Sequence, residues 1–188
     1  NQIAALTTAN ITLLTTDQVS ALTMTQVGAL TTAQSAAITA AQSPFLAMGS
    51  PIILDLNGDG VKTLSFTEGV KFDLFANGSN VNTGWVSAAD GLLVLDRNHD
   101  GMISDGSELF GTSTTLANGQ KAPDGYAALR ELDSNGDGVI SSDDAAYADL
   151  RVWVDGNSDG ISETGETKTL ASLGITKIGR ASCRERVS

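Results

Sequence analysis

Apolar residues recur every eight positions over residues 1–42. The five units read IAALTTAN, ITLLTTDQ, VSALTMTQ, VGALTTAQ and SAAITAAQ, with Ile or Val first in four of the five and Leu or Ile three residues later. In one continuous α-helix this period drifts by about 80° per unit, so no lasting apolar stripe forms. Thr15 and Gln18 have the Thr-x-x-Gln spacing of a helix-capping box. We therefore predict short capped helical turns that build a stacked, Thr/Ala-rich stalk or spacer.

The pattern changes after a linker at residues 43–50, which contains Pro44 and Gly49. Short apolar runs between Gly, Asn and Asp turns predict strands at 51–55, 70–74, 84–86, 91–96 and 151–155. Helical spacing of apolar residues predicts helices at 126–132 and 143–150, and a short helix at 170–173 that ends at Gly174. These elements indicate a small α+β domain at residues 51–176.

Charge is concentrated in this second region. The formal net charge is −11, from 22 acidic and 11 basic residues, and Asp17 is the one charged residue before Asp55. An acidic chain without basic patches is a poor partner for nucleic acid or anionic membranes. No apolar run approaches the roughly 20 residues of a membrane span. Because the chain begins at Asn1 without a Met or a signal peptide, we expect it to be part of a longer protein.

Residues 177–188 differ in composition from everything before them. Three arginines fall within seven residues of an otherwise Arg-poor chain, and the stretch IGRASCRERV back-translates to a common short-read sequencing adapter. We interpret this tail as foreign to the natural protein; the alternative is a genuine basic tail. It contains Cys183, the only cysteine, so the remainder has no thiol or disulfide chemistry. His99 is the only histidine, which excludes His-based triads and zinc chemistry.

Four segments share the pattern Asp-x-Asn-x-Asp-Gly. They begin at Asp55, Asp96, Asp133 and Asp155, and are numbered here as loops one to four. In such a loop the oxygens at positions 1, 3 and 5 and the backbone carbonyl at position 7 converge on one cation, and glycine at position 6 permits the sharp turn. One copy is typical of an ordinary Asp/Asn/Gly turn, but four copies indicate a metal-binding function.

Hard oxygen ligands on flexible, carboxylate-rich loops favour Ca²⁺ over Mg²⁺, zinc or copper. The predicted ligands are Asp55, Asn57, Asp59 and Val61 in loop one; Asp96, Asn98, Asp100, Met102 and Glu108 in loop two; Asp133, Asn135, Asp137, Val139 and Asp144 in loop three; and Asp155, Asn157, Asp159, Ile161 and Glu166 in loop four. The four apolar residues in this set stand at position 7 and would contribute their backbone carbonyls.

The loops differ at the residue that closes the coordination. Asp144 and Glu166 stand at position 12 of loops three and four, so we expect these two loops to dominate and to share a packed unit around Trp153. Loop three is the nearest to an EF-hand, and loop two needs one extra residue to reach its closing acid. Loop one has Phe66 at position 12 and Glu68 at position 14, so it must borrow a ligand from elsewhere or bind weakly.

A resemblance adds to this reading. The ordered series PIILDLNGDGV, TGWV, DGLLVLDRNHDGMISDGSELFG and GYAALRELDSNGDGVISSDDAAYADLRVWVDGNSDGISETGE resembles the self-processing module of FrpC-type RTX (repeats-in-toxin) proteins, over about residues 51–175. It implies a bacterial toxin or adhesin module, secreted or on the cell surface, that folds on Ca²⁺ and cuts an Asp-Pro bond at its own N-terminal edge. Pro51 matches that proline, but Ser50 replaces the aspartate. We therefore expect the cleavage to be lost.

Two other functions remain open. One is an active, calcium-dependent self-cleaving module, in which an N-to-O acyl shift at Gly49 and Ser50 would replace the aspartate chemistry. The other is a dockerin-like docking module, although the loop starts are 41, 37 and 22 residues apart with strands between them, unlike two near-identical loop-helix units. The expected partners are calcium ions and, through the parent molecule, other surface proteins.

Overall fold

The computed structural model describes residues 5–20, 22, 26, 30–31, 33–34, 37–39, 42, 51–64 and 70–179 of the 188-residue chain. The strands within these ranges are β1 Ile53–Asp55, β2 Thr63–Leu64, β3 Val70–Phe72, β4 Val81–Thr83, β5 Trp85–Val86, β6 Asp90–Val94, β7 Val139–Ser141, β8 Arg151–Trp153, β9 Thr167–Thr169 and β10 Lys177–Gly179. The helices are α1 Thr8–Thr12, α2 Thr16–Ser20 and α3 Gly125–Arg130, with a 3₁₀ helix at Ala171–Leu173. Among the helices described, none has the length and apolar character to cross a bilayer.

A four-stranded antiparallel sheet in the order β1-β6-β8-β9 organises the acidic domain. Strand β6 is buried along its whole length, because apolar side chains cover both faces of the sheet. Leu93 and Val152 pack in one cluster, whereas Leu92 and Trp153 pack in another. Since successive side chains of a strand point to opposite faces, the two clusters lie on opposite sides of the sheet.

Three two-stranded antiparallel ribbons accompany this sheet: β2 with β5, β3 with β4, and β7 with β10. Two of the ribbons contribute to an aromatic cluster, in which the ring centroids of Phe72, Trp85 and Trp153 lie 5.3–5.8 Å apart. Such tilted and edge-on pairs add about 0.5–1.5 kcal/mol each beyond area burial. Because Trp153 belongs to β8, the cluster ties both ribbons to the strand that leads into loop four.

Reciprocal Thr–Gln hydrogen bonds cap the turns of the octad repeat. Thr15 N–H donates to Gln18 Oε1 (2.9 Å) and Gln18 N–H donates to Thr15 Oγ1 (3.2 Å), which confirms the predicted capping box. The same pair of bonds joins Thr31 and Gln34. Each box satisfies two backbone donors that a short helix would otherwise leave without partners.

Longer contacts fold the repeat back on itself. Gln34 Nε2 donates to Leu6 O and Gln42 Nε2 donates to Leu14 O, both at 2.7 Å and both across 28 residues of chain. A small core of first- and fourth-position residues lies buried between these turns: Ile11, Val19 and Ile38. The described part of the repeat is thus stacked, whereas its role as a stalk or spacer stays a prediction.

Most predicted elements of the acidic domain are found, with bounds changed by one or two residues. The helix predicted at 143–150 is wrong, since these residues form consecutive turns. The carboxylate of Asp144 accepts backbone N–H groups from Ser134 and Ser141 (2.7 and 2.9 Å), so it ties the segment to loop three and competes with a helix. The domain is therefore a small mixed one, with mostly strands and few helices.

The strand β10 lies in the segment that the sequence set apart as foreign. It spans Lys177–Gly179 and pairs with β7 in the register Ile178↔Ile140. Ile178 is 4% exposed and packs in the same apolar cluster as Ile140. Residues 180–188 of that segment lie outside the described residues.

Candidate metal centre

The four Asp-x-Asn-x-Asp-Gly loops fold in the same way locally. In each, the N–H of the glycine at position 6 donates to the carboxylate at position 1, across 2.8–2.9 Å. The N–H at position 5 donates to the amide oxygen of the Asn at position 3, across 2.8–3.2 Å. These bonds fix both side chains over the turn and leave their oxygens with further lone pairs for another partner.

Positive φ angles at positions 4 and 6 produce the turn. Position 6 is glycine in every loop, with φ between 74° and 90°, a region glycine enters without steric cost. Position 4 is glycine in loops one and three, but His99 (φ 60°) and Ser158 (φ 57°) occupy it in loops two and four. Because other residues rarely adopt this region, loops two and four carry backbone strain that the surrounding fold offsets.

Loop two brings three carboxylates together. One oxygen each of Asp96, Asp100 and Glu108 lies within 4.8 Å of the others, the one such acidic group found in the part of the chain that the structure describes. Glu108 is 2% exposed. Its Oε1 and the Oδ1 of Asp96 are both buried, and neither has a hydrogen-bond partner among the described residues. The acid at position 13 therefore reaches those at positions 1 and 5.

The closing acids of loops two, three and four share one backbone hydrogen bond. Asp144 accepts the backbone N–H groups at positions 2 and 9 of loop three (2.7 and 2.9 Å), and Glu166 accepts those at the same positions of loop four (both 3.1 Å). Glu108 accepts the N–H of Ser104, at position 9 of loop two (2.8 Å). The N–H at position 9 thus orients the closing acid in all three loops, whether that acid stands at position 12 or 13.

The pKa values of two closing acids move in opposite directions. Hydrogen bonds to its carboxylate lower the pKa of Asp144, and the bond from the Ser141 N–H has the largest effect. Burial raises the pKa of Glu108, although the N–H of Ser104 opposes this effect. A raised carboxyl pKa means that the protein stabilises the charge less well than water does. Glu108, unlike Asp144, is thus an acid whose ionised form the chain stabilises incompletely.

Loop one has the same turn but different charged partners. Asp55 accepts the N–H groups at positions 4 and 6 (2.8 and 2.9 Å), and the position-6 bond lowers its pKa. Asp59 forms an ion pair with Lys62, so its charge is already partnered. Glu68, at position 14, lies outside the described residues. Asp90 lies beside this loop, because it is the direct partner of Asp55 in the pairing of β1 with β6.

Loop four lies against loop two. The N–H of Ile103, at position 8 of loop two, donates to Oγ of Ser162, at position 8 of loop four, in a buried 2.6 Å contact. Ile103 packs in the same cluster as Trp153, whereas Ile140 of loop three packs on the other face of the sheet. The expected unit of loops three and four around Trp153 is therefore wrong, because the sheet separates loop three from that cluster.

Both tryptophans donate to acids of loop four. Trp85 Nε1 donates to Asp155 Oδ2 (2.6 Å) and Trp153 Nε1 donates to Glu166 Oε2 (3.2 Å). Asp155 is completely buried. These bonds join positions 1 and 12 of the loop to the aromatic cluster. The sequence places Trp153 beside the loop, but nothing in it indicates that Trp85, 70 residues from Asp155, also reaches it.

The residues at position 7 turn their side chains outward in three loops. Val61, Met102 and Ile161 are 49%, 46% and 53% exposed, whereas Val139 is half-buried in β7. In loops two to four the N–H at position 7 donates to the acid at position 5, across 2.8–2.9 Å. Because the side chain at position 7 is exposed in these three loops, we infer that this position takes part in the loop through its main chain.

A fifth turn forms the same bonds without a full set of acids. The carboxylate of Asp73 accepts the N–H groups of Asn77 and Gly78 (3.1 and 2.7 Å), and Ser79 N–H donates to Asn77 Oδ1 (3.0 Å). Position 3 of this turn is Phe75, which has no oxygen to offer. Turn geometry alone is therefore not evidence for a metal. The gathered acids and unpartnered oxygens of loop two are the stronger feature.

The predicted cleavage position lies at the edge of the described domain. Ser50 is outside the described residues, and Pro51 is half-buried beside Leu74 and Leu109. The next residue is held firmly, because Ile52 N–H donates to Phe110 O (3.0 Å) while Ile52 O accepts from a residue of β6 (2.9 Å).

Two comparisons bear on this chain. A family model for the SPM domain matches residues 52–187. The iron-regulated protein FrpA of Neisseria meningitidis serogroup C is 53% identical to the chain over 133 residues. This match covers 70% of the chain and 12% of FrpA, so the chain spans a small part of that relative. Both findings support the relationship to FrpC-type proteins that the motifs indicate.

Proposed function

Because the chain belongs to the SPM domain family, we propose that residues 51–176 are a calcium-binding module of an RTX-type toxin or adhesin, secreted or held on the bacterial surface. The matched relative is much longer than this chain. The module would therefore act as one part of a larger molecule, whose other regions meet surface partners. In this proposal the module folds when it meets Ca²⁺ outside the cell.

The acid cluster of loop two is the observation that carries this proposal. Asp96, Asp100 and Glu108 converge, and two of them keep buried oxygens without a partner among the described residues. A buried acceptor left unpaired costs about 1–3 kcal/mol, and more when charged. Like charges at this separation also repel each other. A divalent cation would offset both costs, and carboxylate oxygens suit Ca²⁺.

The other loops extend the proposal to several ions. All four carry the same turn, in which the N–H at position 6 bonds to the acid at position 1 and the N–H at position 5 bonds to the Asn at position 3. Loops three and four add a closing acid at position 12, held by the N–H groups at positions 2 and 9. We propose EF-hand-like coordination in these loops, with the position-7 carbonyl as a further ligand.

Calcium-dependent folding tests this function. Extracellular modules bind Ca²⁺ with dissociation constants of about 10⁻⁴–10⁻³ M, and the binding free energy adds to folding. Trp85 and Trp153 report on the acidic domain alone, because the repeat contains no Trp. We expect blue-shifted Trp emission and a more ordered far-UV circular dichroism spectrum in millimolar Ca²⁺ than in EGTA, with equal Mg²⁺ as the control. Identical spectra in Ca²⁺ and EGTA would contradict the proposal.

We further propose that this chain does not cleave itself before Pro51. In the chemistry implied by the resemblance, an aspartate carboxylate oxygen bonds to the residue's own carbonyl carbon, the bond to the proline nitrogen breaks, and that nitrogen takes a proton. Ser50 offers a neutral alcohol and cannot form this cyclic anhydride. Intact masses of the unchanged chain and of Ser50→Asp, each with and without Ca²⁺, test the idea. Only Ser50→Asp with Ca²⁺ should yield a fragment that begins at Pro51; cleavage of the unchanged chain would refute it.

A further inference from the structure

Asp90 is a carboxylate buried at the start of an apolar strand. It is the first residue of β6, and none of its surface is exposed. Its Oδ2 accepts the N–H of Lys62 and the hydroxyl of Ser87, both at 2.9 Å. Its Oδ1 is also buried, and no described residue donates to it. Because an unpaired buried acceptor destabilises the folded chain, this oxygen calls for a partner beyond the described residues, such as a bound cation.

The strand register places this carboxylate beside loop one. Asp90 is the direct partner of Asp55, which is position 1 of that loop. Directly opposite residues of an antiparallel pair place their side chains on the same face, with Cβ atoms about 4.5–5.5 Å apart. Two like charges in this arrangement repel each other. The ammonium of Lys62 forms its ion pair with Asp59 and acts on Asp55 and Asp90 only at longer range.

The backbone contact of Asp90 also matches that of the other closing acids. In loops two, three and four the closing acid accepts the N–H at position 9. Asp90 accepts the N–H of Lys62, which is position 8 of loop one. The contact is thus similar but one residue earlier, and the described residues show no counterpart of the position-2 bond that Asp144 and Glu166 also accept. A closing acid at Asp90 would complete a loop that has Phe66 at position 12.

We propose that Asp90 closes the metal site of loop one from outside the loop and holds a calcium ion together with Asp55. This inference rests on the proposed calcium-binding function. It also gives β6 a second role, because its first residue would serve loop one while the chain that leaves its other end enters loop two at Asp96. Loop one would then be a complete site and not a degenerate copy.

Ion counting on the full, Ca²⁺-saturated chain tests this assignment. Asp90→Asn keeps the size of the side chain and an oxygen for the Lys62 N–H, but removes the charge. Glu68→Gln is the matched control, because Glu68 is the first acidic residue that follows loop one in the sequence. We expect native mass spectrometry to count one Ca²⁺ fewer in Asp90→Asn than in the unchanged chain, and an unchanged number in Glu68→Gln.

Amide NMR of the same samples assigns the lost ion to a loop. The N–H of Gly60 bonds to Asp55, and Gly138 and Gly160 make the same bond in loops three and four (2.8–2.9 Å). In Asp90→Asn the Gly60 resonance should move, while those of Gly138 and Gly160 stay. A change confined to Gly160 would overturn the proposal, because it would assign Asp90 to loop four.

The remaining outcomes separate this inference from the proposed function. An unchanged chain that binds no Ca²⁺ rejects the function itself. If it binds Ca²⁺ and Asp90→Asn binds the same number of ions, only the role of Asp90 is rejected. If Asp90→Asn does not fold, Asp55→Lys tests the same proposal from an exposed position. Its ammonium, opposite Asp90, should take the place of one calcium ion, so the variant should fold at a lower Ca²⁺ concentration than the unchanged chain. A higher Ca²⁺ requirement would overturn the proposal.

Discussion

The buried glutamines of the octad repeat find partners for both ends of their amides, whereas two fully buried acids of the acidic domain each have an oxygen with no partner among the described residues. Gln34 and Gln42 are each 3% exposed, and their amides donate to backbone carbonyls 28 residues earlier while their oxygens accept capping N–H groups. Asp90 and Glu108 are equally buried, at 0% and 2% exposed. Each of these acids keeps one oxygen for which the described residues offer no donor.

The difference follows from the chemistry of the two side chains. A primary amide carries donors and an acceptor, so a buried Gln can cap one turn and clamp another. An ionised carboxylate only accepts, and a buried one must have several donors or a cation. The described part of the repeat therefore satisfies these buried amides with its own atoms, although Phe75 of the acidic domain also packs against its apolar core. We expect the acidic domain to depend on Ca²⁺.

Glu166 should give the largest effect on calcium binding. In the unchanged chain both carboxylate oxygens of Glu166 accept backbone N–H groups. Glu166→Gln replaces one of these oxygens with an NH₂ group, which cannot accept, and removes the charge at position 12 of loop four. Charged hydrogen bonds contribute about 1.5–3 kcal/mol, so calorimetry should find Ca²⁺ affinity at least roughly tenfold weaker. Glu163→Gln, an exposed change in the same loop, is the matched control and should have little effect. A greater loss in Asp55→Asn would contradict the ranking.

Glu108→Gln should separate the fold from the ion. Removing a buried, incompletely stabilised charge should raise the stability of the calcium-free domain by about 1 kcal/mol, while Ca²⁺ affinity falls roughly tenfold. Trp emission in EGTA with trimethylamine N-oxide, which favours the folded state, measures the first effect. Asp105→Asn is the control, because that carboxylate is already bonded to Ser107 (2.8 and 2.6 Å). Lower stability of Glu108→Gln in EGTA would indicate a purely structural role.

The sequence predicted the loops because their turn residues are contiguous. The bonds that build each turn join residues two to five positions apart, so Asp, Asn and Gly at fixed spacing are sufficient to identify it. The Thr15–Gln18 capping box was predictable for the same reason. Strands such as β6 were also predictable, because Gly and Asp turns bound a short apolar run.

Contacts between distant segments were not predictable from one sequence. Asp90 meets Lys62 across 28 residues, and Ile103 meets Ser162 across 59. Which loops are neighbours depends on the face of the sheet that each apolar residue covers, and the face depends on strand pairing. The helix expected at 143–150 failed for a local reason, since the side-chain bonds of Asp144 prevail over helical apolar spacing.

Gln42→Ala tests the other side of the comparison. It removes the donor to Ile11 O and Leu14 O (2.9 and 2.7 Å) and should destabilise the repeat by about 1–3 kcal/mol, equally in Ca²⁺ and in EGTA. Gln18→Ala is the matched control: Gln18 holds the same position in its unit but is exposed, and its bonds among the described residues stay within its own capping box. Thermal denaturation followed by circular dichroism measures both. Equal losses in the two variants would mean that the stacking bonds contribute nothing.

Met102→Ala should give the smallest effect, because position 7 of loop two is expected to act through its backbone and not through its side chain. Its side chain is 46% exposed, while its N–H donates to Asp100 Oδ1 (2.8 Å). Met102→Ala keeps the N–H and the carbonyl, so calorimetry should find Ca²⁺ affinity within about twofold of the unchanged chain, as for an exposed substitution. Met102→Pro removes the N–H and fixes φ, and should weaken binding roughly tenfold. If Met102→Ala weakened binding as much as Met102→Pro, the side chain and not the backbone would be the group that loop two requires at position 7.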